Sequence, residues 1–240
     1  MKKRVIIYGD IHGCLNEFEE LRKKVDVSKD DLEISVGDFL NKGPYSLNTL
    51  RFLNYHDILS VMGNNEAKII KFYHKYQKEG KSYLKRLNKA DKKTLLELEE
   101  EDITYLESLP YYMKIDALTI VHGGIVNGMK LSPDMSDGEN KLLTQLRFFN
   151  KEHEPIPYDD FENRKTFWSE EYDGQEGFII FGHHPFDEVK IEKYAIGIDT
   201  GCVYGRELTA IVFDYHDNKV DTSKYTLHQV AATHNHFRLA

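Results

Sequence analysis

Five short segments concentrate the residue types that ligate divalent cations. Gly9-Asp10-Ile11-His12-Gly13 places a carboxylate and an imidazole two residues apart. Gly37-Asp38 opens a second segment that runs on through Asn41-Lys42-Gly43-Pro44. Gly63-Asn64-Asn65-Glu66 offers an amide oxygen, and Val121-His122-Gly123 and Gly182-His183-His184-Pro185 offer imidazoles. Asp10, His12, Asp38, Asn64, His122 and His183 together suit Mn, Fe or Zn, with Mn favoured; the set is too rich in nitrogen for Ca. Six ligands make sense for two adjacent cations. Asp38 is the natural bridge, Asp10 and His12 completing one site and Asn64, His122 and His183 the other. Two such ions, ~3.5 to 4 Å apart, activate a bridging water and clamp the oxygens of an in-line phosphoryl displacement. Any one segment alone reads as an ordinary turn; all five, in order, are hard to produce by chance.

Each segment follows an apolar run, and that placement requires a particular scaffold. Arg4 to Tyr8, Leu32 to Val36 and Ile58 to Met62 read as strands, with helical spacing at Leu15, Phe18, Leu21, Val25 and at Leu47, Leu50, Leu53 between them. This alternation predicts crossovers and a mainly parallel sheet, with ligands just beyond the carboxyl ends of the strands. Residues of about 66 to 108 read as a helical insertion or cap, lysine-rich at first and then acidic from Glu97 to Asp102. A solvated charged surface explains that composition, and selection of a substrate or partner is the alternative. The second half reads as strands: Tyr111 to Ile115, Leu118 to Val121, Phe178 to Phe181, Tyr194 to Ile198, Leu208 to Phe213 and Lys219 to Tyr225. Residues 126 to 177 form a long polar connection, and Ala231 to Ala240 a frayed end.

The chain of 240 residues fits a single domain spanning 1–240. Its net charge of -8 argues against nucleic acid and anionic lipid as partners, although bound cations would still admit an anionic substrate. No stretch approaches the ~18 to 20 apolar residues of a membrane span. Two cysteines, Cys14 and Cys202, give no disulfide framework, and a reducing cytoplasm is the simplest compartment.

The five segments resemble the motifs of the calcineurin-like metallophosphoesterases, in the phosphoprotein phosphatase branch that includes bacterial Ser/Thr phosphatases and diadenosine tetraphosphate hydrolases. The family pattern is Gly-Asp-x-His-Gly, Gly-Asp-x-x-Asp-Arg-Gly, Gly-Asn-His-Glu/Asp, His-Ala/Gly-Gly and Gly-His. Ile198-Asp199-Thr200-Gly201 looks like the family's closing strand and turn, while residues 46–51 and 143–148 look closest to the nucleotide hydrolases. The lysine-rich segment has no counterpart in these motifs. The resemblance implies an α/β fold, an αββα sandwich of two mixed sheets flanked by helices with a helical cap insertion. It implies a metal-dependent hydrolase of phosphoesters or phosphoanhydrides, acting on a small phosphate or nucleotide, with a phosphoprotein as the alternative.

Where the family has a histidine thought to protonate the leaving group and an aspartate to orient it, this chain has Asn65 and Asn41. Neither amide is a general acid near neutral pH, and loss of such an acid typically costs ~10² to 10⁴ in rate. The family's arginine is Lys42, which still neutralises a phosphate oxygen. Arg147 is the candidate for bidentate phosphate contact, or else a surface arginine covering Phe148 and Phe149. His184 and His74 are candidate replacement acids. A phosphoanhydride needs no acid, because its leaving phosphate has a low pKa. Three readings follow: a dinucleoside polyphosphate hydrolase, a Ser/Thr-type protein phosphatase, or a metal- and phosphate-binding protein of weak activity.

Overall fold

A computed structural model describes residues 2–237. The first part alternates β1 (Arg4–Tyr8), α1 (Leu15–Val25), β2 (Asp31–Ser35), α2 (Ser46–Tyr55), β3 (Leu59–Ser60) and α3 (Asn64–Glu79). A 3-10 segment over Gly80–Arg86, then α4 (Lys89–Glu97) and α5 (Glu100–Glu107), continue the helical stretch. The remainder holds β4 (Tyr112–Ile115), β5 (Leu118–Val121), α6 (Asp137–Gln145), β6 (Phe148–Phe149), β7 (Pro155–Ile156), β8 (Thr166–Phe167) and α7 (Trp168–Glu171). It ends with β9 (Phe178–Phe181), β10 (Lys190–Ile191), β11 (Ala195–Gly197), β12 (Glu207–His216) and β13 (Lys219–Ala231).

Two five-stranded sheets result, ordered β13-β12-β1-β2-β3 and β10-β11-β9-β5-β4. Side chains alternate across each strand, so one strand serves two cores. From β1, Val5 and Ile7 meet Ile120, Ile180 and Ile196 of the second sheet, while Ile6 and Tyr8 turn to the helices with Phe18, Leu21 and Leu50. The second sheet sends Val121, Ile179 and Phe181 outward against Trp168, Leu143 and Leu146. Helices, sheet, sheet and helices therefore stack as the αββα sandwich.

The sheets are mixed, as the family resemblance implies; in the first sheet, the mainly parallel arrangement expected from the alternation alone holds only for the N-terminal strands. The β1, β2 and β3 run is parallel, but β12 pairs antiparallel with β1 at its other edge, so the sheet is mixed. The β12–β13 hairpin turns on Asp217 and Asn218, both at positive φ (52° and 61°), as a two-residue turn matching strand twist requires. The long connection holds α6 and a small sheet ordered β7-β6-β8. Ser136 caps α6 by accepting from Glu139 N (3.3 Å), and the Glu139 carboxylate accepts from Ser136 N (2.8 Å). The end of the chain is tied down as far as it is described. Thr233 donates to Glu17 through its backbone N–H (3.0 Å) and hydroxyl (2.6 Å), and His236 N donates to Val203 O (3.0 Å). Residues 238–240 of the stretch expected to fray lie outside the described residues. Among the described residues no helix is long and apolar enough to cross a membrane.

Candidate metal centre

The turns after β1, β2, β5 and β9 converge at one edge of the sandwich. Cross-sheet hydrogen bonds hold them: His183 N donates to Asp10 Oδ1 (3.1 Å), and His122 Nδ1 to Val36 O (3.0 Å). His12, Asp38 and His183 all sit at positive φ (45°, 51° and 71°). That backbone is unfavourable for non-glycine residues, and it is tolerated where surrounding structure fixes a functional side chain. The neighbouring glycines permit the close approach. A Cβ on Gly182 would collide with Asp10 Oδ1, and one on Gly63 with Asp38 N and Oδ1.

The candidate ligands fall into two overlapping groups. Donor atoms of Asp10, His12 and Asp38 lie within 4.8 Å of one another, as do those of Asp38, His122 and His183. Asp38 belongs to both, its Oδ2 3.5 Å from His12 Nε2 and its Oδ1 3.3 Å from His122 Nε2. Asn64 Oδ1 stands 3.0 Å from His122 Nε2. In His12 and His122 the Nδ1 nitrogen faces a carbonyl, Leu40 O (2.9 Å) and Val36 O (3.0 Å) respectively. A carbonyl only accepts, so Nδ1 carries the proton and Nε2 turns its lone pair inward.

These atoms fit cations better than they fit one another. The lone pair of His122 Nε2 faces the oxygens of Asp38 and Asn64. Asp10 Oδ2 and His183 Nε2 are buried with no partner. A buried acceptor left unsatisfied is costly. Near His12 a cation from the chain stands in: Lys42 Nζ is 2.8 Å from His12 Nε2. Burial, then Asp199 and Asp38, pushes the Asp10 carboxyl well above the usual range. Burial opposes the charged form of Asp38 too, but His122, His12 and Lys42 hold its carboxyl well below that range. Burial, then Lys42, lowers His12 to about 3. Burial, then Arg147, lowers His183 well below its usual value. His12 and His183 are thus neutral, and their nitrogens lie beside the buried carboxylates of Asp10 and Asp38, an arrangement that suits a cation.

The accessory residues divide. Asn65 Nδ2 donates to Asp38 Oδ2 (2.6 Å), and Asn41 Nδ2 faces Asn65 Oδ1 (3.5 Å). Arg147 turns toward the centre: Nη2 donates to His183 O (3.0 Å) and lies 3.3 Å from His183 Nδ1. It is Arg164 that covers Phe148, at 4.4 Å. His184 packs among Phe148, Phe167 and Phe186. Burial, then Arg147 and Arg164, lowers it to about 4, so it holds no proton to give at neutral pH. His74 lies on an exposed face of α3, paired with Glu107 (2.7 Å).

The His184 environment has a measurable consequence. The unfolded chain takes up a proton near pH 6.5, the folded protein only near 4. Stability supplied by the neutral ring is present above 6.5 and is lost as pH falls toward 4. Urea midpoints should therefore shift in favour of His184→Phe over wild type across that window. A constant difference across it would show that the ring titrates normally.

Sequence reasoning passed over two carboxylates here. Asp199 follows β11 and is buried beside Asp10; burial first, opposed by the N–H of Gly201, leaves its pKa raised. Its strand–Asp–Thr–Gly setting repeats the pattern at Asp10 and was the available signal. Glu66 accepts from Asp38 N (2.7 Å) and Leu40 N (3.0 Å), fixing the turn after β2; burial, then Asp38, raises it to about 8.

A cavity of about 540 Å³ opens on Asn64 and His183. Lys141 and Arg147 supply positive charge, and Leu142, Pro157 and Tyr158 an apolar wall. The Tyr158 ring is half exposed, with the Arg147 guanidinium 4.7 Å from its centre.

Residues 3–236 match the family model of the calcineurin-like phosphoesterases, a span that includes the lysine-rich segment. An asymmetrical bis(5'-nucleosyl)-tetraphosphatase of Bacillus mycoides is 28% identical over 85% of this chain and 88% of its own length. A symmetrical bis(5'-nucleosyl)-tetraphosphatase of Wigglesworthia glossinidia brevipalpis is 27% identical, covering 87% and 95%. Among solved structures, a candidate diadenosine tetraphosphatase superposes with a TM-score of 0.76 at 26% identity, over 97% of this chain and 95% of that one. A Saccharomyces cerevisiae serine/threonine phosphatase shares the fold, with a TM-score of 0.59 at 15% identity, over 96% and 80%.

Proposed function

The chain belongs to the calcineurin-like phosphoesterases, metal-dependent hydrolases of phosphoesters or phosphoanhydrides, and from that premise we propose that it hydrolyses dinucleoside polyphosphates such as diadenosine tetraphosphate. In this reading Asp10, His12, Asp38, Asn64, His122 and His183 hold two divalent cations, Mn²⁺ ahead of Fe or Zn. Residues 1–240 form one domain capped by about 66–108, working in the cytoplasm.

The cations, when bound, activate water and neutralise charge on the phosphoryl oxygens. Lys42, beside His12, and Arg147, beside His183, flank the ligand set and bind phosphate oxygens, the first as a point charge and the second as a planar fork. Glu66 and the carbonyls of Leu40 and Val36 keep Asp38, His12 and His122 aimed inward.

One observation carries the substrate reading. Amides occupy positions 41 and 65, and His184 is held neutral, so no residue of this group offers a proton to an alkoxide near neutral pH. A phosphoanhydride leaves as a phosphate and does not need one. The cavity beside Asn64 and His183 lends support, since 540 Å³ with an apolar wall and two cationic side chains suits a nucleotide. A panel of metals and substrates tests the reading. Mn²⁺-loaded protein should cleave diadenosine tetraphosphate with a kcat/KM roughly 10²-fold above that for a phosphoseryl peptide. Equal or reversed rates would favour a protein phosphatase. Failure on both substrates, with metal and phosphate still bound, would indicate a binding protein.

A further inference from the structure

The helical segment reaches the motif loop through the Asn41 side chain. From α4, Thr94 Oγ1 donates to Asn41 Oδ1 (3.0 Å), and Asp91 Oδ1 faces Asn41 Nδ2 (3.4 Å). Asn41 Nδ2 also faces Asn65 Oδ1 (3.5 Å), and Asn65 Nδ2 donates to Asp38 Oδ2 (2.6 Å). Asp91 is itself anchored, its Oδ2 taking Lys68 Nζ (2.7 Å) and Asn88 Nδ2 (2.7 Å). Asn41, Asn65, Asp91 and Thr94 are all buried.

A side-chain amide has nearly the same shape at both ends and opposite chemistry. Packing alone does not decide which end faces which neighbour. A carboxylate only accepts, so Asp91 demands the NH₂ end of Asn41, and the Thr94 hydroxyl takes the oxygen end. The NH₂ of Asn41 then demands the oxygen of Asn65. That leaves the Asn65 NH₂ for Asp38. Were Asn65 reversed, its oxygen would meet the Asp38 carboxylate, and two buried acceptors would stand together unsatisfied.

We propose that Asp91 is a positioning residue: through Asn41 it fixes the direction of the amide pair, so that the helical segment keeps a non-titrating N–H of Asn65 on Asp38. Its effect on rate rests on the proposed metal centre, while its effect on the hydrogen-bond chain does not. The competing role is support of the helix cap: Asp91 Oδ2 accepts from Asn88 Nδ2 (2.7 Å), and Asn88 Oδ1 accepts from Asp91 N (2.9 Å) at the start of α4. Capping predicts a loss that is indifferent to residue 65.

The test combines Asp91→Asn, Asn65→Ala and the double variant. Asp91→Asn should lower kcat on diadenosine tetraphosphate about tenfold, as disturbance of a ligand's outer partners typically does, with KM nearly unchanged. In the Asn65→Ala background the same change should have no further effect. The second readout needs neither metal nor substrate. In chelator-treated wild type, the side-chain NH₂ protons of Asn65 should be resolved by NMR and slow to exchange with deuterium. In Asp91→Asn they should exchange fast while the backbone amides of α4 stay protected. A tenfold loss in both backgrounds, or unchanged Asn65 protons in Asp91→Asn, would overturn the proposal. Exchange that responds as expected in a protein that leaves diadenosine tetraphosphate intact would uphold it and sink the substrate reading. If Asp91→Asn does not fold, Thr94→Val removes the other contact orienting Asn41 and should speed Asn65 exchange in the same way.

Discussion

Asp38→Asn should abolish hydrolysis, lowering kcat by at least roughly 10³-fold, and should leave the protein unable to retain a full complement of metal. The magnitude follows from what a bridging ligand supports: several kcal/mol of charge stabilisation at the reacting phosphoryl group, where each ~1.4 kcal/mol is a factor of ten. Asp38 is shared by both donor groups, Oδ1 turned toward His122 and Oδ2 toward His12. An asparagine has the same shape but offers one oxygen and one NH₂, so one imidazole lone pair would face a donor in place of a ligand atom. The turn itself should survive, because Glu66 binds the backbone N–H at this position and not the side chain (2.7 Å). Elemental analysis and steady-state rates on the same preparation decide the matter. Retention of two ions per chain by Asp38→Asn would remove Asp38 from the bridging position.

The convergence of the candidate ligands was legible because it has a local signature. An apolar strand ending in Gly-Asp, Gly-Asn or Val-His needs no knowledge of what lies across the sheet. Asp199 carried a related one after β11, an apolar strand leading into Asp-Thr-Gly, and was read only as a closing turn. Other features have no local signature. Nothing near Arg4 to Tyr8 announces that β12, some two hundred residues on, will pair antiparallel at its edge. That pairing, set by tertiary packing, makes the sheet mixed. Asp91 illustrates the same limit among side chains. In sequence it is one charge in a lysine-rich run; its burial against Asn41 depends on how α4 packs on the motif loop. Conversely, α6 carried a local signature in the Ser136–Glu139 capping box, but it lay inside a segment read only as a long polar connection. The His/Asp departure at 65 and 41 was plain in the sequence. That the two amides approach each other and lean on Asp38 was a matter for the structure.

Asn41→Asp combined with Asn65→His should raise hydrolysis of an alkyl phosphate by roughly 10²-fold, the lower range for a restored general acid, and by more than the product of the single changes. Each single change meets a mismatch. An imidazole at 65 would find the NH₂ of Asn41, a donor, where its own N–H needs an acceptor. A carboxylate at 41 would face the Asn65 oxygen and the Asp91 carboxylate together. Made at once, the carboxylate accepts from the imidazole, orients it, and stabilises its protonated form. The remaining conflict is with Asp91, partly offset by Lys68 at 2.7 Å, and adding Asp91→Asn should raise the rate again. Phosphoanhydride hydrolysis should change far less, because its leaving group departs without a proton. The comparison is kcat/KM on a phosphoseryl peptide and on diadenosine tetraphosphate for wild type, the two single variants, the double variant and the triple variant with Asp91→Asn. If the double variant only multiplies the single effects, positions 41 and 65 do not act as a pair. If both substrates gain equally, the leaving group is not protonated from this side of the site.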